Sequence, residues 1–335
     1  MRRPAAELRR LAECVEIRSS TSVSVAGEVI EFGDRQAEEH AFDEFLSAAL
    51  YRRFYCRPSR STVPGPPDPR AVRVFVEALS SANAGSSCWD AGWIVESKEA
   101  DGALQLRKPG QQLRFSASET DFRADGGEVV PGATGRLRIG KELREMLPGF
   151  YMVLGEADRP YRSPARPRAM TRFYWHLTAQ AAAPWIAELT RRFNAATVPF
   201  EAKVLSDPAT YCRADAGVLY VDDAWREEAF ALLPDLHQAV SARLRGTTPM
   251  FTRRLARGLA MAEDPGDGRS FGQHRCQLVA QALQQAHRDG SDTPRARLRA
   301  VVQGFARNGI DPARPWLNPG SAEEFDWPTT RHTCP

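Results

Sequence analysis

The sequence predicts an α+β protein, in which a helical segment and a small antiparallel sheet precede a second α+β region. Three observations predict this class: apolar residues at helical spacing near the N-terminus, short alternating runs between Gly92 and Val153, and strand and helix patterns that follow residue 170. A chain of 335 residues is longer than one hydrophobic core usually grows. We therefore expect two domains, residues 1–145 and residues 146–335.

The N-terminal part is predicted to open with helices over 5–18 and 36–55, because apolar residues recur there every three or four positions. The proline-rich segment 57–69 predicts a loop, since proline lacks a backbone donor. Farther on, Asp101-Gly102 and Asp125-Gly126-Gly127 are typical of hairpin turns, in which glycine adopts positive φ. We expect these turns to connect the strands of the small antiparallel sheet.

Two predicted strands in the second part carry polar residues on one face. Alternation over 171–178 separates two sets of side chains, Phe173, Trp175 and Leu177 on one face and Tyr174, His176 and Thr178 on the other. Over 199–205 the same alternation turns Lys203 away from the more apolar face. The run 216–221 is apolar almost throughout, which predicts a strand buried on both faces.

Helices are expected over 184–194, 248–262 and 270–288, because a proline at a first helical turn or a serine N-cap precedes each apolar stripe. The tail 311–335 is rich in proline and tryptophan, and we expect it to pack without regular structure.

Composition excludes several classes of function. A net charge of +3 gives no overall basic field for nucleic acid, and six scattered cysteines without C-x-x-C spacing indicate neither a metal site nor a disulfide framework. The charged N-terminus lacks the apolar run of a signal peptide, and no stretch is long and apolar enough to cross a membrane. We expect a cytoplasmic protein with reduced thiols. Walker A, dinucleotide-binding and kinase motifs are missing from the sequence, and Gly268-Arg-Ser-Phe-Gly272 is expected to cap a helix rather than to form a nucleophile elbow.

General acids, bases and anion-binding groups concentrate between residues 170 and 280. They are His176, Lys203, Arg213, Tyr220, Arg253, Arg254, Arg257, Arg269 and Arg275. β-Elimination of phosphate needs this inventory: a base for the Cα proton, an acid for the leaving phosphate, and guanidinium groups to hold the anion. Taken singly, each has an ordinary interpretation, such as a solvated strand lysine for Lys203 or a solvated helix face for 253–257.

The order of several motifs resembles the Hop-A-type effector family, named after a plant-pathogen type III effector. The motifs are Phe173-Tyr-Trp-His176, Val198-Pro-Phe-Glu-Ala-Lys203, Tyr211-Cys-Arg-Ala-Asp-Ala-Gly-Val-Leu-Tyr-Val221, Thr248-Pro-Met-Phe-Thr252, Ala262-Glu-Asp-Pro265, Ser270-Phe-Gly-x-x-Arg275, Gly309-Ile-Asp-Pro and Pro315-Trp-Leu-Asn-Pro319. The resemblance covers 145–325 well and the first 140 residues only weakly. Members also occur beside kinase-like proteins in clusters for class V lanthipeptides and thioamitides, as the lyase partner of a split dehydratase.

More distantly, the same order resembles the bacterial phosphothreonine lyases, which use a lysine base and a histidine acid without a cofactor. That likeness implies a lyase-like catalytic domain over 146–335. It makes Lys203 the base, His176 the acid, Arg213 a phosphate ligand and Tyr220 the tyrosine that ends the next strand. Those lyases carry a second lysine two residues before the histidine, whereas this chain has a tyrosine there.

Arg275 or Arg254 is expected to supply the missing charge. Arg275 is the better candidate, since it lies one turn into a predicted helix whose N-terminus could face the same anion.

The resemblance therefore implies a phosphoserine/phosphothreonine lyase that acts on a phosphorylated precursor peptide and forms dehydroalanine or dehydrobutyrine. It implies no cofactor and no metal, and a kinase-like protein as partner; neither nucleic acid nor membrane is expected. The N-terminal part could bind the peptide or the kinase. Two alternatives stay open: a non-catalytic scaffold that binds phosphopeptide or kinase, and a translocated effector that acts on host proteins.

Overall fold

The structure is a computed structural model that describes residues 6–19, 21–31, 39–58, 65–109, 113–144, 146–158, 169–321 and 327. Helices and three antiparallel sheets make up the described part, which confirms the predicted α+β class. Helix α1 (Ala6–Cys14) leads into a sheet of strands β1 (Val15–Ser19), β2 (Ser22–Val25) and β3 (Glu28–Glu31). The predicted first helix is thus shorter than expected, because β-branched Val15 and Ile17 begin a strand.

The second helical segment agrees with the sequence pattern. Helix α2 (Glu39–Leu50) continues into a π-helical turn over Tyr51–Tyr55. Within the proline-rich segment, residues 59–64 lie outside the described part. A helix that the pattern did not predict, α3 (Pro69–Ala82), begins where the Asp68 side chain accepts a hydrogen bond from the Arg70 backbone and proline takes the first helical position.

A five-stranded antiparallel sheet follows, as predicted. Its strand order is β6-β5-β4-β8-β7. The strands are β4 (Ser87–Lys98), β5 (Ala103–Lys108), β6 (Leu113–Ser118), β7 (Phe122–Ala124) and β8 (Thr134–Gly140). Trp93, Leu104 and Leu137 lie in its own small core. Gly102 and Gly127 adopt positive φ of 86° and 83° between strands, as hairpin turns require.

A seven-stranded sheet forms the centre of the molecule, with the order β14-β15-β11-β13-β12-β10-β9. Its strands are β9 (Glu142–Leu143), β10 (Phe150–Leu154), β11 (Met170–Trp175), β12 (Glu201–Leu205), β13 (Gly217–Asp222), β14 (Arg253–Ala256) and β15 (Leu259–Glu263). Its outer face, with Phe173, Trp175 and Leu219, packs with α4 (Ala179–Ala195) and α5 (Arg226–Val240). The alternation predicted for 171–178 and 199–205 is confirmed, because Tyr174 and Lys203 lie opposite that core.

The opposite face, which we call the inner face, is covered by helices from both ends of the chain. Tyr174 and Val218 of this face share a core with α1, α2, α6 (Phe271–Arg288) and α7 (Pro294–Arg307). The boundary predicted between residues 145 and 146 stays a prediction. N-terminal helices and the last two helices nevertheless contribute to one hydrophobic core.

The helix predicted over 248–262 is wrong. This segment contains the hairpin β14–β15, and Arg253 and Arg254 therefore belong to a strand at the edge of the sheet. Two backbone conformations oppose a helix there, since Phe251 and Gly258 have φ of 69° and 65°. All five residues of β15 are buried, as expected of a strand inside a sheet.

The other predicted helices differ only at their ends. Helix α4 begins at Ala179, before Pro184, because Thr178 takes the extended N-cap conformation and a run of alanines follows. Helix α6 begins as predicted, with a capping box between Ser270 and Gln273. Residues 308–321 contain no helix or strand, and the rest of the tail except residue 327 lies outside the described part. No helix among the described residues is long and apolar enough to cross a membrane.

Candidate functional site

A polar cluster lies on the inner face of the central sheet. Strand pairing aligns Arg172 of β11 with Tyr220 of β13, and Tyr220 with Glu201 of β12. Lys203 is two residues along β12 from Glu201, on the same face. Residues that are far apart in sequence are thus brought together by the register of three neighbouring strands.

Lys203 is half-buried and lies beside two aromatic rings. Its Nζ lies 4.4 Å from the centre of the Phe150 ring and 5.7 Å from that of Tyr220. Burial, first, and the charges of Arg172 and Arg213, against the opposing charge of Asp215, together lower the pKa of Lys203 to about 8. At pH 7 about a tenth of such an amine is neutral, compared with well under ~1% of an ordinary lysine.

Arg213 and Asp215 form an ion pair at the edge of this cluster. The Arg213 Nε lies 2.9 Å from Asp215 Oδ1, and its Nη2 lies 2.7 Å from Oδ2. Tyr51 joins the pair from the π-helical turn. Burial alone would raise the pKa of Asp215, but the charge of Arg213 and hydrogen bonds from Arg213 and Tyr51 lower it. Asp215 is therefore ionised at neutral pH.

Arg172 supplies a second positive charge, which the sequence analysis did not single out. Its Nε donates to Asp264 Oδ2 at 2.6 Å, its Nη2 donates to the Arg269 carbonyl at 3.3 Å, and its guanidinium carbon lies 5.3 Å from the Tyr220 ring centre. A signal was present in the sequence, because Arg172 stands two residues before Tyr174 and so shares its face. Burial raises the pKa of Tyr220, which keeps its phenol protonated at neutral pH.

His176 follows the end of β11, and its side chain is only 1% exposed. Its Nδ1 lies 3.1 Å from the Thr247 carbonyl and 2.9 Å from the Thr247 hydroxyl. No described group forms a hydrogen bond of good geometry with its buried Nε2, although the Cys212 backbone is near enough to affect the ring. Burial lowers the pKa of His176, so the free protein holds it mostly neutral at pH 7.

His176 and Lys203 are on the same sheet face, with β13 between their strands. The charge of Asp215 acts on the pKa of both residues. The structure thus brings Lys203, Arg213, Tyr220 and His176 to one region, together with Arg172.

Arg275 and Arg254 are not brought into this cluster. The Arg275 side chain is fully buried, and it donates to the carbonyls of Pro315 at 2.8 Å and Leu317 at 3.0 Å, which anchors the C-terminal segment to α6. Arg254 is exposed on the edge strand β14, with three strands between it and Lys203, a separation of about 19 Å at the usual strand spacing. The further arginine whose charge acts on Lys203 is Arg172.

A pocket of about 600 Å³ adjoins the cluster at Tyr51. It lies between α2 and the start of α6, and its lining includes Ser47, Arg269 and Gln273. Among the described residues, no group of three His, Cys, Asp or Glu side chains is arranged to hold a metal ion.

Three comparisons with known proteins were informative to different degrees, and the match to a family agrees with the motifs. Two solved structures are similar to this chain. The effector protein from Pseudomonas syringae pv. tomato strain DC3000 is 18% identical, with a TM-score of 0.47, and the match covers 86% of this chain and 92% of that one. The effector protein from Pseudomonas syringae pv. syringae strain 61 is 15% identical, with a TM-score of 0.43, and the match covers 85% of this chain and 91% of that one. No curated protein matches the chain. Residues 143–317, which are more than half of the sequence, match the HopA1 effector protein family. The chain belongs to the HopA1 effector protein family.

Proposed function

We propose that the inner-face cluster is the site of a phosphoserine/phosphothreonine lyase, which removes phosphate from a phosphorylated peptide and leaves dehydroalanine or dehydrobutyrine. One observation carries the proposal: the pKa of Lys203 is lowered to about 8, and two arginines lie within electrostatic reach of its amine. A base for a Cα proton must be neutral, and an anionic substrate needs positive charge nearby. This combination serves both needs in one place.

In the proposed reaction the Lys203 amine takes the Cα proton. The electrons of that C–H bond form the Cα=Cβ double bond, while the Cβ–O bond breaks and its electrons leave with phosphate. His176 gives a proton to the departing phosphate. The proton gained by Lys203 balances the one lost by His176, and the reaction consumes neither water nor an oxidant.

His176 fits the acid role once it carries a second proton. Its Nδ1 is held by Thr247, so we assign the proton for the leaving group to Nε2, which is buried and has no hydrogen bond of good geometry to any described residue. A phosphate dianion within about 4–6 Å would raise the pKa of the imidazole, because an opposite charge favours the charged form. Substrate binding would thus charge the acid that the reaction needs.

Arg172 and Arg213 are the phosphate ligands that we propose. Each holds a carboxylate with Nε and Nη2, Asp264 for Arg172 and Asp215 for Arg213. Within the described part of the chain, the hydrogen bonds of good geometry from the two guanidinium groups use Nε and Nη2, and the Tyr174 hydroxyl is close enough to Arg172 for a weaker one. The carboxylates fix the two guanidinium planes and leave donors for an anion. Tyr220, protonated and beside Lys203, would add a neutral donor.

The substrate that we propose is a phosphorylated precursor peptide of a lanthipeptide or thioamitide pathway, and the proposed partner is a kinase-like protein. Both rest on the motif resemblance. The family's description as effector proteins favours a second candidate, a translocated lyase that acts on host phosphoproteins. The two share one chemistry and differ in the substrate, so comparing turnover of precursor phosphopeptides and of host phosphoproteins separates them.

Mass spectrometry of a phosphothreonine peptide incubated with the protein and EDTA tests the proposed reaction. Elimination removes about 98 Da and leaves an alkene, whereas hydrolysis removes about 80 Da and leaves the alcohol. The same incubation is repeated with any adjacent kinase-like protein. Loss of 98 Da, within measurement error of about 1 Da, supports the lyase. Loss of about 80 Da, or binding without any mass change in both settings, contradicts it and favours a phosphatase or a scaffold.

A further inference from the structure

Tyr51 contacts the cluster from the N-terminal segment, outside the range that matches the family. It is the first residue of the π-helical turn Tyr51–Tyr55, whereas the family match begins at residue 143. Its partners Arg213 and Asp215 lie 162 and 164 residues later in the chain. Contacts over such separations exist only in the folded chain. They therefore show that the N-terminal helical segment packs against the cluster.

The Tyr51 hydroxyl takes part in two hydrogen bonds. It donates to Asp215 Oδ2 at 3.1 Å and accepts from Arg213 Nη2 at 3.2 Å. Burial, and next the charge of Asp215, raise the pKa of Tyr51 well above its usual value, so the hydroxyl keeps its proton and remains a donor. The Tyr51 hydroxyl thus bridges the Asp215 carboxylate and the Arg213 guanidinium.

Two further contacts fix the same geometry. The guanidinium carbon of Arg213 lies 5.8 Å from the Tyr51 ring centre, and the Ala214 backbone donates to the Cys56 carbonyl at 2.7 Å. The loop that carries Arg213 is therefore held against the π-helical turn by backbone and side chain. Single π-helical turns are rare and frequently occur at functional sites.

We infer that Tyr51 is a positioning residue of the lyase site. Its hydroxyl donates a hydrogen bond to Asp215, which weakens the attraction between that carboxylate and the Lys203 ammonium. The same hydroxyl accepts from Arg213, which holds the guanidinium in the orientation that we propose for binding phosphate. The role in catalysis rests on the proposed function. The electrostatic part, that Tyr51 acts on Lys203 through Asp215, does not depend on it, because Asp215 raises the pKa of Lys203 in the free protein.

Two readouts test this inference on Tyr51→Phe, with Tyr151→Phe as the matched control. Tyr151 is a buried tyrosine whose hydroxyl bonds Glu142 and Asn83, with its side chain in the core of the outer face. The first readout is the pKa of Lys203, taken from the pH dependence of its labelling by an acylating reagent and mapped by mass spectrometry. The second is kcat/KM for a phosphothreonine peptide.

In Tyr51→Phe the Asp215 carboxylate loses a donor and favours the charged amine more strongly, so the pKa of Lys203 rises. We expect kcat/KM to fall about tenfold, as for loss of a hydrogen bond to a charged group. Tyr151→Phe leaves both readouts unchanged. In an Asp215→Asn background, Tyr51→Phe should no longer alter the pKa of Lys203, because the charge that links them is gone.

An unchanged pKa of Lys203 in Tyr51→Phe, or an equal change in Tyr151→Phe, overturns the inference. If the wild-type protein eliminates no phosphate, the proposed function fails while the labelling result still decides the role of Tyr51. Thermal unfolding of both variants shows that each is folded at the labelling temperature.

Discussion

Lys203 can abstract a proton only while its amine is neutral, and three features of its surroundings act on that state. Burial removes water from the charged form, two arginines repel it, and Asp215 opposes both effects. The net result is a pKa of about 8, which lies near the pH range in which the proposed general base has to be neutral. This balance of burial and charge sets the fraction of neutral amine that the proposed reaction requires.

Acylation of Lys203 should therefore follow a pKa of about 8. Because only the neutral amine reacts, labelling rises with pH up to that value and then levels off. The rate of elimination should rise over the same range, since the base is the neutral form. Peptide mapping after labelling at a series of pH values gives the number, and labelling that keeps rising beyond about pH 10 would contradict the assigned pKa.

Removing the charge of Arg172 should raise the pKa of Lys203. Of the two arginines that repel the Lys203 ammonium, Arg172 has the larger effect, and Arg172→Gln removes its charge. Elimination at pH 7 should fall about tenfold for each unit by which the pKa of Lys203 rises. Arg138→Gln, in the separate five-stranded sheet, is the charge-matched control. The same loss of activity in both variants, or no shift of the pH profile in Arg172→Gln, would disprove the role of Arg172.

Some of the site could be predicted at the residue scale. Alternation along β11 and β12 correctly separated Tyr174 and Lys203 from the apolar core. The same alternation contained Arg172, but its partner Asp264 and its neighbour Tyr220 become adjacent only through strand pairing. Contacts of that kind depend on the order of strands in the sheet, which local patterns do not encode.

At the element scale, the hairpin β14–β15 determines where His176 lies. The His176 backbone donates to the Gly258 carbonyl at 2.9 Å and accepts from the Arg245 backbone at 2.9 Å. A helix was expected in this segment because Thr248-Pro249 resembles a helix start and apolar residues follow. The turn at Gly258, with φ of 65°, and pairing of β15 with β11 determine the strand conformation instead.

Gly258→Ala should destabilise the protein. An added Cβ would lie 2.4 Å from the Arg245 carbonyl oxygen, and the backbone is left-handed, so we expect a loss of about 2–4 kcal/mol in the free energy of unfolding. Gly266→Ala is the control, because its φ is 75° but no atom lies within 4 Å of the added Cβ, which leaves a cost of about 1 kcal/mol. Denaturant unfolding measures both; equal losses would show that the close approach at Gly258 has no effect.

At the scale of the whole molecule, the first and last helices share one core. Leu8 and Leu11 of α1 and Leu46 of α2 are fully buried in the cluster that contains Val279 of α6 and Phe305 of α7. The Glu7 carboxylate also accepts a hydrogen bond from the Phe251 backbone at 3.0 Å, near the loop that holds His176. The sequence patterns did not indicate this shared core, because packing between segments that are far apart in the chain leaves no local signal.

A fragment limited to the family-matched region should not fold stably. Residues 143–317 lack α1 and α2, so the apolar faces of α6 and α7 would be exposed to water. We expect the fragment to bind a hydrophobic dye and to unfold without a cooperative transition, whereas the full chain unfolds cooperatively. A fragment with a sharp transition and full elimination activity would show that the N-terminal helices are dispensable.

The most direct test of the central claim compares the wild-type protein with Lys203→Ala on one labelled phosphothreonine peptide, with binding followed by fluorescence anisotropy and product by mass spectrometry. We predict that the wild type converts the peptide to the product lighter by about 98 Da, and that Lys203→Ala binds the peptide yet leaves its mass unchanged. Turnover of the peptide by Lys203→Ala at the wild-type rate would contradict the assignment of Lys203 as the base.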